Sequence, residues 1–198
     1  MSKLTNRFDR LIHRLDRLIF ALIVAAWLLP VTGHADSQLL GQPARNWAVS
    51  EWINSEPLEL DQLRGKVVLV RWWTAPDCPF CRASAAALNE WHQRYSDHGL
   101  QVIGFYHHKS RSPLSLEQVR EYTRVFGFQF AVAIDPQWRT LREWWLDTGQ
   151  RNWTSVSFLL DQEGVIRYIH PGGSYVKGDP DYRAMEQMID LLLAESRQ

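Results

Sequence analysis

A short apolar, β-branched run, Val67-Val68-Leu69-Val70, passes through Arg71-Trp72-Trp73 and breaks at Pro76-Asp77. It then meets the chain's only two cysteines, Cys78 and Cys81. A continuous run of this kind fits a central strand covered on both faces. From Pro79 onward the pattern turns helical, with Phe80, Ala87, Leu88, Trp91 and Tyr95 on one face and Gly99 as the stop. Cys78 is therefore expected at the start of a helix, with Cys81 one turn inside it.

That placement constrains the chemistry. A structural disulfide framework spreads its cysteines to close long loops, and these two share a four-residue window, Cys78-Pro79-Phe80-Cys81. Zinc uses the same spacing but normally takes four ligands, and no second Cys-x-x-Cys or close histidine pair completes a structural site. At a helix start, unpaired backbone N–H groups and the helix dipole favour a thiolate. Such surroundings lower a cysteine pKa from about 8.5 into a range of about 3.5–7.5. Cys81 would be shielded yet close enough to attack a mixed disulfide formed on Cys78.

The cadence continues as strand Leu100 to Tyr106, a helix capped by Ser115 and closed at Gly127, a short strand Phe130 to Ile134 and a short helix Arg139 to Leu146. A hairpin follows, Val156 to Leu160 and Val165 to Ile169 around the turn Asp161 to Gly164. A last helix, Asp181 to Glu195, aligns Tyr182, Met185, Ile189 and Leu192. This is an α/β order with a mixed central sheet flanked by helices, one domain over 36–198. Residues 1–35 carry five basic and two acidic side chains, and the remainder is mildly acidic, with 17 basic against 20 acidic. No basic face for nucleic acid is expected. The apolar run Leu18 to Leu29, then Pro30 and Gly33-His34-Ala35, reads as a signal peptide cleaved after residue 35. About 12 apolar residues is short of the roughly 20 that span a bilayer. The rival is an uncleaved membrane anchor, and both place the rest of the chain in the periplasm or another extracytoplasmic space.

Further segments carry a family likeness: Gly41-Gln42-Pro43-Ala44, Leu58-Glu59-Leu60, Leu63 to Val70, Trp72-Trp73-Thr74-Ala75 to Cys81-Arg82-Ala83, and Ser157 to Asp161 with Gly164. Together they resemble the TlpA/ResA-like branch of the thioredoxin superfamily over most of Gly41 to Glu195. The resemblance implies a thioredoxin-like fold and dithiol–disulfide exchange on extracytoplasmic client proteins, with Cys78 attacking and Cys81 resolving. It implies client contacts at Trp73, Pro79, Phe80, Thr154 and Ser155, and a membrane thiol carrier as redox partner. No cofactor is expected beyond the redox-active Cys78–Cys81 pair, and no metal.

Three departures from that branch stand out. Asp77 replaces the aromatic usual before the first cysteine, and its carboxylate is expected to oppose thiolate formation. Ser84 stands where an acidic residue is found three beyond the second cysteine. Ser155 stands where a cis-proline faces the dithiol, so the Thr154–Ser155 bond is expected to be trans or strained, since a cis bond there costs about 2.5–4 kcal/mol.

Two other readings compete. A peroxiredoxin-like peroxidase wants threonine three residues before its nucleophile, and that position is Ala75, with Thr74 one residue too early. A Sco-like copper protein would use Cys78, Cys81 and a histidine, soft thiolates suiting Cu(I), although its cysteines are one residue farther apart. His107 and His108 end a strand where ligands collect in α/β sheets, and read as a solvated loop or, in the sharper reading, as a base or metal ligand near the thiols. His170-Pro171-Gly172-Gly173 reads as a turn, Trp72, Trp73 and Trp153 as packing or a client groove, and Arg139 and Arg142 as an exposed helix face.

Overall fold

The computed structural model describes residues 38–195 except Ser50 and Gln150. The expected export segment and its boundary after residue 35 lie outside the described residues. Six strands form one mixed sheet: β1 Glu51–Ile53, β2 Val67–Trp73, β3 Leu100–Tyr106, β4 Ala131–Ile134, β5 Ser157–Leu160 and β6 Ile166–His170. Their order is β1-β4-β3-β2-β5-β6, with β2, β3 and β4 parallel and β1, β5 and β6 antiparallel to their neighbours. The helices described are α1 Pro79–Tyr95, α2 Leu116–Val125, α3 Arg139–Trp144 and α4 Pro180–Glu195. α1 joins β2 to β3 and α2 joins β3 to β4, so both parallel pairs have the long helical crossover they need.

β2 explains the rest. Every one of its residues is buried, and because side chains alternate across a strand, it feeds two cores. Val67, Leu69 and Trp73 pack with Leu88 and Trp91 of α1 and Met185 and Ile189 of α4. Val68, Val70 and Trp72 pack with Trp47, Leu141, Trp144 and Phe158 on the other side.

Most expected elements are present, with local differences. The buried face of α1 begins at Cys81 rather than Phe80 and continues through Ser84, Ala85, Leu88, Trp91 and Tyr95. The Ser115 hydroxyl accepts from the Gln118 amide at 3.4 Å and caps α2. α3 stops at Trp144 instead of Leu146, and a 3-10 turn, Leu146–Thr148, follows. β6 starts one residue later than the pattern suggests, because the Asp161 carboxylate accepts from the Glu163 and Val165 amides and holds both in the turn. β1, three residues long, has no signal in the sequence; it forms only because β4 offers it an edge.

Candidate functional site

The site lies at the carboxyl ends of parallel β2 and β3, where α/β folds collect ligands. β2 ends at Trp73, Pro76 and Asp77 turn the chain, and Pro79 takes the first helical position, where its missing N–H costs nothing. Cys78 is left as the residue that caps α1. Its sulfur accepts from the Cys81 backbone N–H at 3.4 Å, and the Cys81 thiol donates to it across 2.8 Å. Both cysteines are free thiols. The Cys81 sulfur also accepts from the Thr74 backbone N–H at 3.4 Å.

These contacts separate the two sulfurs electrostatically. The Cys81 thiol donating to it, with the Cys81 and Phe80 amides and the Lys109 charge, outweighs partial burial and lowers the Cys78 pKa to about 6. Cys81 goes the other way: holding its proton against the Cys78 sulfur, and being buried, pushes its pKa well up. Cys78 is half-buried and Cys81 is buried, so the ionised sulfur is also the reachable one.

Around them lies a cavity of about 250 Å³, lined by the two cysteines, Thr74, Phe80, His107, Lys109 and the stretch Asn152 to Ser155. Trp153 is 55% exposed and meets the edge of Phe80 with ring centroids 5.3 Å apart. The turn after β6 makes room for it: a Cβ on Gly172 would lie 2.5 Å from the Trp153 Cβ. His107 is buried, neither ring nitrogen has a hydrogen-bond partner among the described residues, and burial drops its pKa to about 3. It is a neutral imidazole in the cavity wall.

Of the expected client contacts, the structure brings Phe80, Thr154 and Ser155 into the wall. Pro79 is exposed but does not line the cavity. Trp73 is a correction: at 1% exposure it is a core residue, edge-on to Tyr106, Phe126 and Phe128, because β2 alternation points it under α1 rather than into the groove. Trp72, fully buried on the opposite side, is a packing residue, one of the two readings its sequence allowed. The Thr154–Ser155 bond is trans, as are all peptide bonds among the described residues. Ser155 lines the same cavity as the sulfurs, its hydroxyl accepting from the Gly173 N–H at 3.1 Å. Asp77, expected to oppose the Cys78 thiolate, is not among the groups found to shift it. It is exposed, and its charge bears on Tyr106 instead. His108 is a loop brace, bonded to the Tyr106 hydroxyl at 3.0 Å and the Ser112 carbonyl at 2.7 Å. Arg139 and Arg142 are exposed, and Arg142 reaches Asp147 at 3.9 Å.

The residue that sequence reasoning missed is Arg71. It is fully buried on β2, where its guanidinium donates to the carbonyls of Ser155 and Gly173 and to the hydroxyls of Ser157 and Ser84. The signal was present: a single charge in Val67–Trp73, in alternation register with Leu69 and Trp73, which face α1.

Comparison with known proteins places this dithiol, cap and sheet in a lineage. The AhpC/TSA family model matches residues 40–169. The chain belongs to the AhpC/TSA family. Protein DipZ of Mycobacterium tuberculosis is 28% identical over 168 residues, which are 83% of this chain but only 22% of DipZ. The chain thus spans about a fifth of that relative's length. The thiol:disulfide interchange protein DsbE of Yersinia pestis is 28% identical over 178 residues, 84% of this chain and 86% of DsbE. Among solved structures, a thiol-disulfide isomerase from Corynebacterium glutamicum superposes with a TM-score of 0.59 at 26% identity, covering 76% of this chain and 96% of that one. The thioredoxin-like fold and the thioredoxin-superfamily resemblance are thereby shown. Within this AhpC/TSA chain, the described residues hold no group of three or more His, Cys, Asp or Glu placed to bind a metal ion. They also hold no helix long and apolar enough to cross a membrane.

Proposed function

We propose that this chain is an extracytoplasmic thiol–disulfide oxidoreductase that reduces or exchanges disulfides in client proteins. The observation that carries this reading is the split between its sulfurs: Cys78 caps α1 as a stabilised, reachable thiolate, while Cys81 waits protonated and buried 2.8 Å behind it. In the forward direction the Cys78 thiolate attacks a client disulfide and one client sulfur leaves. The mixed disulfide is then broken by Cys81, which closes the Cys78–Cys81 bond and releases the second client thiol. Phe80, Trp153, Thr154 and Ser155 would bracket the client segment beside the sulfurs. Repeated reduction needs a donor of two electrons, for which a membrane thiol carrier is the proposed partner. Export by residues 1–35 belongs to the same proposal, and amino-terminal sequencing of the exported protein, expected to begin at Asp36, tests it.

A peroxidase function fits the site less well. Ala75 stands where that chemistry wants a threonine hydroxyl, and Thr74 serves the resolving sulfur through its backbone N–H.

The deciding experiment gives reduced protein a disulfide-bonded client and, separately, hydrogen peroxide. Exchange is expected with the client, loss of it in Cys78→Ser, and a trapped mixed disulfide through Cys78 in Cys81→Ser. Rapid peroxide consumption without client exchange would replace this reading with the peroxidase one.

A further inference from the structure

Arg71 presents a problem that packing does not answer. A guanidinium with no exposed surface is costly to bury without an anion, and no carboxylate pairs with it among the described residues. Its partners are neutral: the Gly173 carbonyl at 2.7 Å, the Ser157 hydroxyl at 3.3 Å, the Ser84 hydroxyl at 3.4 Å, the Ser155 carbonyl, and the Tyr175 ring, whose centroid lies 5.0 Å from the guanidinium carbon. The Arg71 Nε has no hydrogen-bond partner among the described residues. Two of these contacts lead to the dithiol. Ser84 lies one turn beyond Cys81 on the same buried stripe of α1, and Ser155 lines the sulfur cavity.

We propose that Arg71 is a positioning residue, the buried counter-charge held behind Cys81 that stabilises the resolving sulfur as it becomes a thiolate. This deepens the exchange reading above and rests on it. In the resolving step the Cys81 S–H loses its proton, and the resulting thiolate attacks the Cys78 sulfur of the mixed disulfide. The Cys78–Cys81 bond forms, the Cys78–client bond breaks, and the client sulfur leaves with the electron pair and takes up a proton from bulk solvent, to which the Cys81 proton is released. The negative charge that appears on Cys81 is the anion that Arg71 otherwise lacks.

Two groups favour ionised Cys81: the Thr74 backbone N–H, 3.4 Å from its sulfur, and the charge of Arg71. His107, at the end of β3, and His170, at the end of β6, face the same region and are held neutral by burial, with the Arg71 charge acting in the same direction. Tyr175 is buried and stays protonated. Asp181 bonds to His170 at 3.4 Å but is largely exposed. Lys109 acts on Cys78 from the solvent side. The Arg71 charge favours ionised Cys81, working against burial. A disulfide carries no charge, so a buried cation stabilises only the reduced, ionised pair and makes the pair more oxidising.

The test compares wild type, Arg71→Lys and Arg71→Met, each equilibrated with glutathione buffers to obtain the reduction potential and each followed for the lifetime of the mixed disulfide. Arg71→Met is expected to shift the equilibrium tenfold or more toward the disulfide, which is about 30 mV more negative, and to lengthen the mixed-disulfide lifetime at least tenfold. Arg71→Lys, which keeps the charge, should stay within threefold on both. A folded Arg71→Met matching wild type on both measures overturns the proposal. Should Arg71→Met fail to fold, Cys78→Ala leaves Arg71 in place, and thiolate absorbance then titrates Cys81 alone. Ionisation at or below the free-cysteine value of about 8.5, despite burial, supports the proposal, and ionisation above it refutes it. A wild type that exchanges no client disulfide would overturn the functional reading, while the potential and the titration would still report on Arg71.

Discussion

Arg71 and Asp135 are both almost wholly buried, one on β2 and one just past β4, yet their surroundings differ in kind. The Asp135 carboxylate accepts from the Leu141 N–H at 2.8 Å, the Thr140 N–H at 2.9 Å and the Trp72 indole N–H at 3.1 Å. Its lone pairs meet donors that have no other duty, at the start of α3. Burial raises its pKa against the pull of those donors, and the group is a pin joining the tryptophan-rich side of the sheet to its neighbouring helix. Arg71, on the dithiol side, is held by neutral oxygens and a ring. One buried charge is spent on local structure; the other is left to act on its neighbours. Burial alone does not distinguish a structural charge from a functional one, whereas the completeness of its hydrogen bonding does.

Asp135→Ala is the severest trial of that contrast. It strands two amides and an indole N–H without partners, and a loss of about 3–5 kcal/mol in denaturant unfolding is expected. The Cys78 titration of the fraction that remains folded should not move; a shift there would dissolve the distinction between the two sides.

The next largest effect is on pH. Attack by reduced protein should fall about tenfold per unit below pH 6 and level off above it, since only the thiolate reacts. The sign for stability follows from a depressed acidic pKa. Cys78 contributes to the stability of the reduced fold fully above its unfolded value, near 9, and loses that contribution as pH falls through about 6. Unfolding of reduced wild type and Cys78→Ser between pH 5 and 9 checks this, the gap between them widening with pH.

Gly172→Ala should act more mildly. The added methyl collides with Trp153 at a backbone φ of +150°, so the indole must leave Phe80. A several-fold rise in KM for a peptide disulfide, at nearly constant Cys78 pKa, is expected. The smallest change belongs to Lys109→Ala, which removes the weakest of the forces lowering Cys78. A rise of a few tenths of a unit in the thiolate titration should disappear in high salt.

The frame around the dithiol was legible in the sequence, whereas the two buried charges were not. The strand–turn–helix order around Cys78 needed only local patterning, and the alternation of Val67–Trp73 follows from strand geometry. β1 was illegible because three residues carry no period of their own. Trp73 was misread for a different reason: a tryptophan beside a redox pair looks like a client platform, and only the strand's facing decides otherwise. Arg71 escaped notice because a lone arginine in an apolar run reads as an interruption until its four oxygen partners, scattered from Ser84 to Gly173, are brought together by the fold.

The alternation of β2 has a consequence for how such a molecule can change over generations. Residues 67, 69, 71 and 73 face the reactive side, and 68, 70 and 72 face the tryptophan-rich side. The two sets meet different neighbours, so substitutions in one should combine nearly additively with substitutions in the other. Redox character can then drift through Arg71 and its oxygen cradle, while robustness is gained or lost through Val68, Val70 and Trp72. A single residue inserted within the strand would exchange the two sets and forfeit both inheritances together.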